Sequence, residues 1–338
     1  MNKKNIYTVT IIGLGNIGLL YDIDRDSDSK EFLSHTRSAF FHKNFEIKYL
    51  VDKDLSKLEL AKNKFGNQIE YKTELGVDYI PTEIIVLASI PSVNAHYLNK
   101  LKSIDNVKLF LIEKPFLNQL ETISNYKKII KKSYVNYFRK SIPYFKNLKK
   151  DIDKKIFGNL IAVNVYYSKG LSNNGSHLID LINYFFGPNY DLDSIKIINY
   201  KNDYSIDDES VSFCIDYNYN EKSIPVIFNS LDERKFSLIE LDLFFDTQRF
   251  RIFDFGGKIE ISKVYQDKIF SGYKNLLPSE VIDSNINSYG MYTYDTIENI
   301  LNGDEENYST LKEENDIKLL KDAVVNKLNK YKKWNTQN

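Results

Sequence analysis

The N-terminal part of the chain alternates short apolar runs with segments in which apolar residues recur at helical spacing. Apolar runs typical of buried strands lie at 7–12, 45–51, 83–88, 107–112 and 134–138. Helical spacing is found at 55–65, 93–101 and 120–131. Strands that alternate with helices predict a parallel sheet covered by helices, with ligands bound at the carboxyl ends of the strands.

The pattern changes after residue 159, where strand patterns follow one another closely and several alternate apolar with polar positions. Strands are predicted at 160–167, 194–200, 210–217, 224–228, 237–245, 249–253 and 258–264. Helical patterns are few here, at 176–186, 291–302 and 313–332. This predicts an open, mostly antiparallel sheet with helices on one face. An apolar second face would need cover, which another subunit commonly provides.

These patterns predict an α/β chain of two domains. Residues 1–138 are expected to form a dinucleotide-binding Rossmann domain with a doubly wound parallel sheet. Residues 139–338 are expected to form an α+β domain, with an open, mostly antiparallel sheet, for substrate binding and oligomerisation. The length of 338 residues suits two domains with sizeable cores. The pattern leaves open whether the C-terminal helix packs back on the first domain.

Composition argues against several classes of function. Lysine plus arginine and aspartate plus glutamate balance at 46 each, so the charge favours neither nucleic acid nor an anionic membrane. No stretch approaches the ~20 apolar residues of a membrane span, and the start lacks the apolar core of a signal peptide. The single cysteine, Cys214, fits a reducing cytoplasm and a small buried side chain rather than a nucleophile. Four scattered histidines predict no metal site.

A glycine-rich turn directly follows the first apolar run. Gly13, Gly15 and Gly18 have the spacing of a dinucleotide-binding turn, with Asn16 and Ile17 between the last two glycines. In such turns the first glycine permits a tight turn, the second lets the backbone approach a pyrophosphate, and the third lets helix and strand pack closely. The helix that follows points its N–H groups and its positive end at the anion. Alone, this signal is weak, because glycine-rich turns also serve as plain turns.

The second predicted strand ends on an acid, Asp52. An acid there can accept hydrogen bonds from the adenosine ribose, which favours NAD over NADP. The alternative is a turn residue at a strand end, and Lys53 beside it leaves room for the 2′-phosphate of NADP. The separation of Gly18 from Asp52 exceeds the usual ~20 residues. We attribute the excess to an acidic insertion after Tyr21.

A second candidate site, Glu113-Lys114-Pro115, stands at the carboxyl end of the strand predicted at 107–112. The Lys114 ammonium can donate a hydrogen bond or a proton to a carbonyl or alkoxide oxygen. Pro115 allows a cis peptide bond that would aim Lys114 inward. For an isolated Lys-Pro pair, a solvated lysine in a loop is the favoured alternative.

A third candidate is His177, in the first turn of the helix predicted at 176–186. Asn174 or Ser176 can cap this helix. The positive helix end disfavours imidazolium, so a neutral imidazole is available to accept a proton. Asp180, one turn on, can orient the ring or stay solvated. Judged alone, a histidine near a helix start is more often structural.

Together these segments resemble the Gfo/Idh/MocA oxidoreductases, named after glucose–fructose oxidoreductase, inositol dehydrogenase and a rhizopine enzyme, over most of the chain. The resemblance rests on the segments 13–18, 113–115, 136–139 and 175–180. It implies reversible hydride transfer between nicotinamide C4 and a hydroxyl-bearing carbon of a sugar, inositol or nucleotide-sugar. By position it implies that Lys114 holds and polarises the substrate oxygen and that His177 is the general acid/base.

The same resemblance implies which residues surround the ligands. The implied cofactor residues are Gly13, Gly15, Asn16, Ile17, Gly18, Asp52, Ser89, Asn94, Glu113 and Lys114. The implied substrate residues are Tyr137, Arg139, Tyr167, Lys169, Asn173, Asn174 and His177. An arginine or lysine there suits a carboxylate or phosphate on the substrate. The resemblance also implies a homo-oligomer, either dimer or tetramer.

Three departures from the family pattern stand out. Asn173 occupies a position where many members have an aspartate, and an amide cannot take a proton, which puts more weight on His177 and Lys114. After the fourth strand, Asn94 stands in the place of a family histidine, while Ser89 keeps a hydroxyl near the nicotinamide ribose. The insertion within 21–42 looks like one branch of the family with an extended first crossover.

The leading hypothesis is therefore an NAD(P)-dependent sugar or nucleotide-sugar dehydrogenase or reductase, which binds neither nucleic acid nor membrane. The alternative from another class is a non-catalytic protein that senses NAD or sugar on the same fold. Asn173 slightly favours this alternative, whereas the presence of both Lys114 and His177 argues against it. A group-transfer enzyme that retains NAD for an internal redox cycle is a third hypothesis.

Overall fold

The computed structural model describes residues 6–76, 79–116, 127, 129–304 and 308–337. The chain forms two compact units. The first comprises Met1–Ile142 and Asn287–Asn315, and the second comprises Pro143–Ile286 and Asp316–Asn338. The predicted domain boundary between residues 138 and 139 stays a prediction. The helix predicted at 120–131 falls mostly on residues outside the described ones.

The first unit contains a parallel sheet, as the alternating pattern predicted. Its strands are β1 (Tyr7–Ile12), β2 (Phe45–Val51), β3 (Glu70–Lys72), β4 (Ile84–Leu87), β5 (Leu109–Ile112) and β6 (Ser133–Val135). They lie in the order β3-β2-β1-β4-β5-β6, and every neighbouring pair is parallel. Its helices include α1 (His35–Phe41), α2 (Leu55–Phe65) and α3 (Pro91–Leu101). The Rossmann-type doubly wound sheet is confirmed.

A helix from late in the sequence completes the core of this unit. Helix α6 (Tyr289–Asn302) contributes Tyr294 and Ile297 to the apolar cluster that contains Val9 and Ile11 of β1. In the middle of this sheet, β4 and β5 are continuously apolar because both of their faces are covered. The sequence predicted α6 from 291 onward without assigning it to this sheet.

The helix that follows β1 is interrupted after one turn. The His35 N–H bonds to the Ile17 carbonyl at 2.9 Å and the Thr36 N–H to the Gly18 carbonyl at 3.0 Å. Each bond spans 18 residues, where an α-helix spans four. Helix α1 therefore continues the hydrogen bonding of the first turn, and an inserted loop accounts for 14 residues. The extended first crossover that the sequence resemblance implied thus takes the form of two helical segments joined by this loop.

The second unit is built on an eight-stranded sheet. Its strands are β7 (Leu160–Tyr167), β8 (Tyr190–Ser205), β9 (Asp208–Tyr219), β10 (Lys222–Ser230), β11 (Ile239–Phe245), β12 (Gln248–Phe253), β13 (Lys258–Gln266) and β14 (Lys274–Asp283). The order is β14-β13-β12-β11-β7-β10-β9-β8, and only the β7–β10 pair is parallel. The mostly antiparallel sheet is confirmed.

Three helices carry residues of this unit: α4 (Pro143–Asp153), α5 (Ser176–Phe186) and α7 (Leu311–Gln337), the last beginning among residues of the first unit. Helix α5 contacts β11 on the face that bears Leu241 and Leu243. The opposite face carries charged pairs, Glu240 with Arg251 at 2.9 Å and Asp242 with Arg249 at 2.8 Å, so its centre is polar. None of the helices in the described part of the chain has the length and apolarity that a membrane crossing needs.

The position of Cys214 differs from the prediction. Its neighbours on β9, Phe213 and Ile215, are buried, whereas Cys214 is only half-buried. The side chains of a strand alternate between faces, and Cys214 shares the outer face with Asp216. The prediction of a small buried side chain is corrected to a partly exposed thiol.

Candidate functional site

The carboxyl edge of the parallel sheet brings together five residues. Gly13 follows β1, Asp52 follows β2, Ser89 comes shortly after β4, Glu113 follows β5 and Asn136 follows β6. Because these strands are parallel neighbours, their carboxyl ends meet at one edge, where open α/β sheets bind ligands. Asn136 belongs to the segment 136–139 that carries the family resemblance, but it is not among the predicted site residues.

The glycine turn is shaped by two close approaches and one open position. Gly13 has a φ of +98°, and a Cβ there would lie 2.6 Å from the Ala88 carbonyl oxygen. A Cβ on Gly18 would overlap the Gly13 carbonyl oxygen. A Cβ on Gly15 would meet nothing within 4 Å. Fold geometry therefore requires the first and third glycines, while the second faces open space.

The turn opens the first segment of the interrupted helix. The Leu19 N–H bonds to the Gly15 carbonyl at 2.8 Å, and the Tyr21 N–H bonds to the Asn16 carbonyl at 3.0 Å. Asn16 is exposed and Ile17 is half-buried. The first amides of a helical turn lack acceptors within the helix and form a favourable site for an anion. The insertion leaves this arrangement in place.

Asp52 is tied to the glycine turn. One carboxylate oxygen accepts the Leu14 N–H at 2.7 Å, and the other accepts the Asp54 N–H at 2.9 Å. The Lys57 ammonium lies 3.7 Å away. Asp52 stands 34 positions after Gly18, and subtracting the 14-residue loop leaves the typical ~20. The length of the loop therefore accounts for the excess separation between Gly18 and Asp52, as proposed from the sequence.

A pocket of about 200 Å³ adjoins this turn. Its walls include Gly13, Asp52, Lys53, Ser89, Val93 and Tyr97. The same lining thus combines apolar surface from α3 with one acidic side chain, Asp52, and two basic ones, Lys53 and Lys57. Such a mixture of apolar walls and few polar groups is typical of small-molecule sites.

Asn94 fixes the backbone after β4. Its side-chain oxygen accepts the Ser89 N–H at 3.0 Å, and its amide nitrogen donates to the Ser89 carbonyl at 2.9 Å. The side chain is buried. Its contact with a cofactor stays a prediction, and the bonds seen here give it the role of shaping the Ser89 backbone beside the pocket.

Glu113 is the centre of a buried polar group. One oxygen of its carboxylate, Oε1, lies 2.9 Å from His35 Nε2 and accepts the Asn136 side-chain N–H at 2.6 Å. Lys114 is half-buried, and its peptide bond to Pro115 is cis. His35 is not among the site residues that the sequence predicts.

Glu314 holds the segment that follows Lys114. It is fully buried in the first turn of α7, where Oε1 accepts the Phe116 N–H at 3.0 Å. Its other oxygen accepts the Tyr137 hydroxyl at 2.7 Å. Tyr137 and Arg139 are buried, and the Arg139 guanidinium lies 4.9 Å from the Phe138 ring centre. No local sequence signal identifies Glu314, because its partners are 177 or more positions away.

In the second unit, a half-buried acid, Asp208, fixes the loop that precedes His177. Residues Gly170–Gly175 form a π-helical turn before α5. The Asp208 carboxylate accepts the N–H groups of Ser172 at 2.7 Å and Asn173 at 2.8 Å. Burial raises the pKa of Asp208, opposed by these bonds and by Lys321. The predicted substrate residue Asn173 is therefore held by its backbone.

His177 is the second residue of α5 and is largely buried. The preceding Ser176 hydroxyl donates to the Ser172 carbonyl at 2.7 Å, which joins the π-helical turn to the helix. Asn174 and Asp180 are buried as well. The histidine and the two asparagines thus occupy one short, firmly bonded segment.

Tyr167 and Lys169 differ from each other in exposure. Tyr167 is 0% exposed, and its hydroxyl donates to the Val211 carbonyl at 2.7 Å and accepts the Val211 N–H at 2.9 Å. Burial raises the pKa of Tyr167 far above its usual range. This interior position argues against the predicted substrate contact of Tyr167. Lys169 is more exposed, and its N–H bonds to the buried Asp203 at 3.1 Å.

Among the described residues, one group has ligand-type side chains that could hold a metal: His42, Asp295 and Glu298. His42 Nδ1 accepts the Asn44 N–H at 3.3 Å, so the ring proton belongs on Nε2. That nitrogen then donates to Asp295 at 3.0 Å. A donor N–H is not a metal ligand, and the group is explained by hydrogen bonding.

Comparisons with known proteins bear on the whole chain. A scan against family models gave no match, and a search of curated proteins gave none. A putative NADPH-dependent oxidoreductase from Desulfitobacterium hafniense superposes with a TM-score of 0.72 at 12% identity, covering 97% of both chains. The WlbA dehydrogenase from Bordetella pertussis, in complex with NADH and UDP-GlcNAcA, gives 0.67 at 14% identity over 96% of both chains.

A super-repressor mutant of Gal80p from Saccharomyces cerevisiae gives a TM-score of 0.70 at 14% identity over 96% of both chains. These identities are low, so the similarity concerns the fold. Both sheets and their order along the chain agree with the fold that the sequence resemblance implied. The chain has the fold of the Gfo/Idh/MocA oxidoreductases.

Proposed function

We propose that the protein is an NAD(P)-dependent oxidoreductase. It transfers a hydride between nicotinamide and a hydroxyl- or keto-bearing carbon of a sugar, inositol or nucleotide-sugar. The observation that carries the proposal is the glycine turn, in which the fold requires Gly13 and Gly18 while Gly15 faces open space. Structures of similar fold with NADH and UDP-GlcNAcA support both parts of the proposal.

The residues at this edge fit a dinucleotide. The first helical turn presents its amides to the pyrophosphate, and Asp52 accepts ribose hydroxyls. Bound NAD supplies the carbon that accepts or gives the hydride. We propose NAD as the preferred form, because the Asp52 carboxylate repels a 2′-phosphate. NADP stays the alternative, since Lys53 and Lys57 are beside that carboxylate.

The cofactor proposal can be tested at Gly15. We expect Gly15→Ala to leave the free energy of unfolding within about 0.5 kcal/mol of wild type, because its Cβ meets no atom. We expect the same change to weaken NADH binding at least tenfold, because the Cβ points at the pyrophosphate position. Urea unfolding and titration of nicotinamide fluorescence measure the two quantities. Unchanged NADH affinity in a folded variant would contradict the proposal.

The proposed chemistry rests on two side chains. Lys114 donates a hydrogen bond to the reacting oxygen of the substrate, and His177 takes the hydroxyl proton during oxidation and returns it during reduction. Tyr137, Arg139, Lys169, Asn173 and Asn174 are proposed to surround the substrate. Tyr167 is left out because it is fully buried.

We expect Lys114→Ala to lower kcat by about a hundredfold or more, the usual contribution of a positioned acid–base group. The Lys43→Ala variant serves as control, because Lys43 is an exposed lysine outside the proposed cofactor and substrate residues. The kcat of each variant is measured by following NADH absorbance with a panel of sugars and nucleotide-sugars. Wild-type turnover in Lys114→Ala would rule out this mechanism.

A homo-oligomer is also proposed. The polar centre of the outer sheet face leaves apolar residues at one end, where Ile161, Phe244, Val264 and Leu276 line a groove of about 480 Å³. A second copy of the chain would cover this apolar surface. Light scattering after gel filtration is expected to give a dimer or tetramer, and Ile161→Asp to lower the mass.

A second candidate function is a non-catalytic NAD- or sugar-sensing protein. Asn173 favours it, because a carboxamide cannot take a proton, and the similarity to the Gal80p super-repressor mutant supports it. Nicotinamide fluorescence distinguishes the two functions. A sugar that shifts the emission of bound NADH without oxidising it supports the sensor, whereas loss of the NADH signal with product formation supports the enzyme.

A further inference from the structure

The inserted loop is organised around two buried charged residues. The first is Asp22, which is 1% exposed at the point where the loop leaves the first helical turn. Its Oδ2 accepts the N–H groups of Leu33 at 2.8 Å and Ser34 at 2.6 Å. The carboxylate therefore joins the two ends of the loop. Charge-assisted bonds of this kind are stronger than neutral ones.

The second is Arg37, which is 1% exposed in α1. Its guanidinium donates to the carbonyls of Asp26 at 2.8 Å, Ser29 at 2.8 Å and Glu31 at 3.1 Å. The rings of Phe32 and Phe41 lie 5.2 and 4.8 Å from the guanidinium carbon. Backbone carbonyls from several points of the loop thus converge on one side chain, so the loop has a fixed shape.

This fixed loop delivers His35 to one place. The His35 N–H is bonded to the Ile17 carbonyl, so its backbone is locked to the glycine turn. Its ring is 3% exposed and contacts Tyr294 edge-on at 6.2 Å. In this packed orientation the ring places Nε2 2.9 Å from Glu113 Oε1.

We infer that the inserted loop serves to position Glu113 through His35, so that the Glu113 carboxylate binds a hydroxyl of the nicotinamide half of the dinucleotide. Both donors, His35 and Asn136, bond Oε1. The carboxylate plane is thereby fixed, and Oε2 is the oxygen that accepts the ligand hydroxyl. His35 is a positioning residue, and the inference rests on the proposed dinucleotide function.

The test compares NADH with ADP, which lacks the nicotinamide ribose. In the full-length protein, His35→Ala is expected to raise the Kd of NADH about tenfold or more, the effect of a lost bond to a charged group. The Kd of ADP is expected to stay unchanged, because Glu113 is remote from the adenine half. His35→Gln is expected to restore NADH affinity, since the glutamine amide can donate at a similar reach. Asp28→Ala, an exposed change in the same loop, is the control.

Several results would overturn the inference. One is unchanged NADH affinity in folded His35→Ala, and another is an equal loss of NADH and ADP affinity, which would indicate general damage to the site. If His35→Ala does not fold, Asn136→Ala carries the same expectation, because it removes the other donor to Oε1. Wild-type protein that binds neither ligand would refute the proposed function, which separates that failure from a failure of the positioning role.

Discussion

A carboxylate holds the backbone next to each candidate catalytic residue. Buried Glu314 accepts from the Phe116 amide, two positions after Lys114, and half-buried Asp208 accepts from two amides in the loop before His177. Such groups stabilise one loop conformation because leaving their donors unpaired is costly.

We expect Glu314→Gln to lower the free energy of unfolding by about 1–3 kcal/mol. An amide offers one oxygen, while its NH2 group would face either the Phe116 N–H or the Tyr137 hydroxyl. Urea unfolding measures the change, with Lys312→Ala on the exposed side of the same turn as control. A stability equal to wild type would contradict the role given to this carboxylate.

Asp208 gives a pH-dependent prediction. Its pKa is raised above its ordinary value of 3.8 by burial, so the folded chain binds this proton more tightly than the unfolded chain. Its contribution to stability is therefore present at low pH and is lost as pH rises through the raised pKa. Stability of wild type relative to Asp208→Asn should fall as the pH rises above the ordinary value of 3.8. A stability difference that does not change as the pH rises, measured by urea unfolding, would disprove the shift.

At the scale of elements, the crossover after β1 combines a fixed turn with an added loop. The first helical turn and α1 share one hydrogen-bond register, and the loop between them is held by Asp22 and Arg37. The loop therefore adds the contact of His35 with Glu113 without disturbing the hydrogen bonds of the glycine turn. The function of the turn and that of the loop are separable.

We expect Arg37→Met to loosen the loop selectively. The variant keeps the packing between Phe32 and Phe41 but loses the bonds to the loop carbonyls. Hydrogen exchange of amides within 23–34 should speed up, while exchange in β4 and β5 stays near wild type. Asp28→Ala again provides the comparison. Faster exchange throughout the unit, or an unchanged exchange rate in the loop, would contradict the role given to Arg37.

The sequence predicted those helices and strands whose burial produces a regular pattern of apolar residues. Strands β4 and β5 were found because both faces are covered, which makes them continuously apolar. β3 and β14 were missed because they are edge strands with exposed side chains. Helix α4 did carry a signal, since apolar residues at helical spacing follow Pro143, and it was overlooked.

The residues of the candidate site also differ in whether a local sequence signal predicts them. Gly13 and Asp52 could be predicted because a turn directly after a strand and an acid at a strand end are local signals. Glu314 and Asp208 could not, because the amides they bind lie far away in sequence. For Tyr167, whose substrate contact stays a prediction, the sequence indicates a strand position but not which neighbour bonds the hydroxyl.

At the scale of the whole molecule, sequence order and folding unit diverge. Residues 287–315 belong with the N-terminal unit, and Tyr294 and Ile297 of α6 complete its core beside β1 and β2. The stability of the first strands therefore depends on residues almost 300 positions away. A hydrogen bond of 3.0 Å from the Tyr7 hydroxyl to the Asn302 side chain is a second link between β1 and α6.

We expect Ile297→Ala to destabilise the first unit by about 2–5 kcal/mol, the usual range for a truncated buried isoleucine. Hydrogen exchange should become faster in β1 and β2. Val325→Ala, at an exposed position of α7, should change neither quantity. Protection of β1 and β2 equal to wild type would show that α6 is not part of their core.

The shared hydrogen-bond register also makes the junction between the first helical turn and α1 a suitable place to exchange the inserted loop. Any inserted segment that returns the chain to the Ile17 and Gly18 carbonyls meets the same two constraints, whatever its length. Removing 14 residues would fuse both halves into one uninterrupted helix, and exchanging the loop would graft new chemistry beside the glycine turn. The crossover thus separates an exchangeable loop from the backbone of the glycine turn, so side chains in the loop can be replaced while that backbone stays constant.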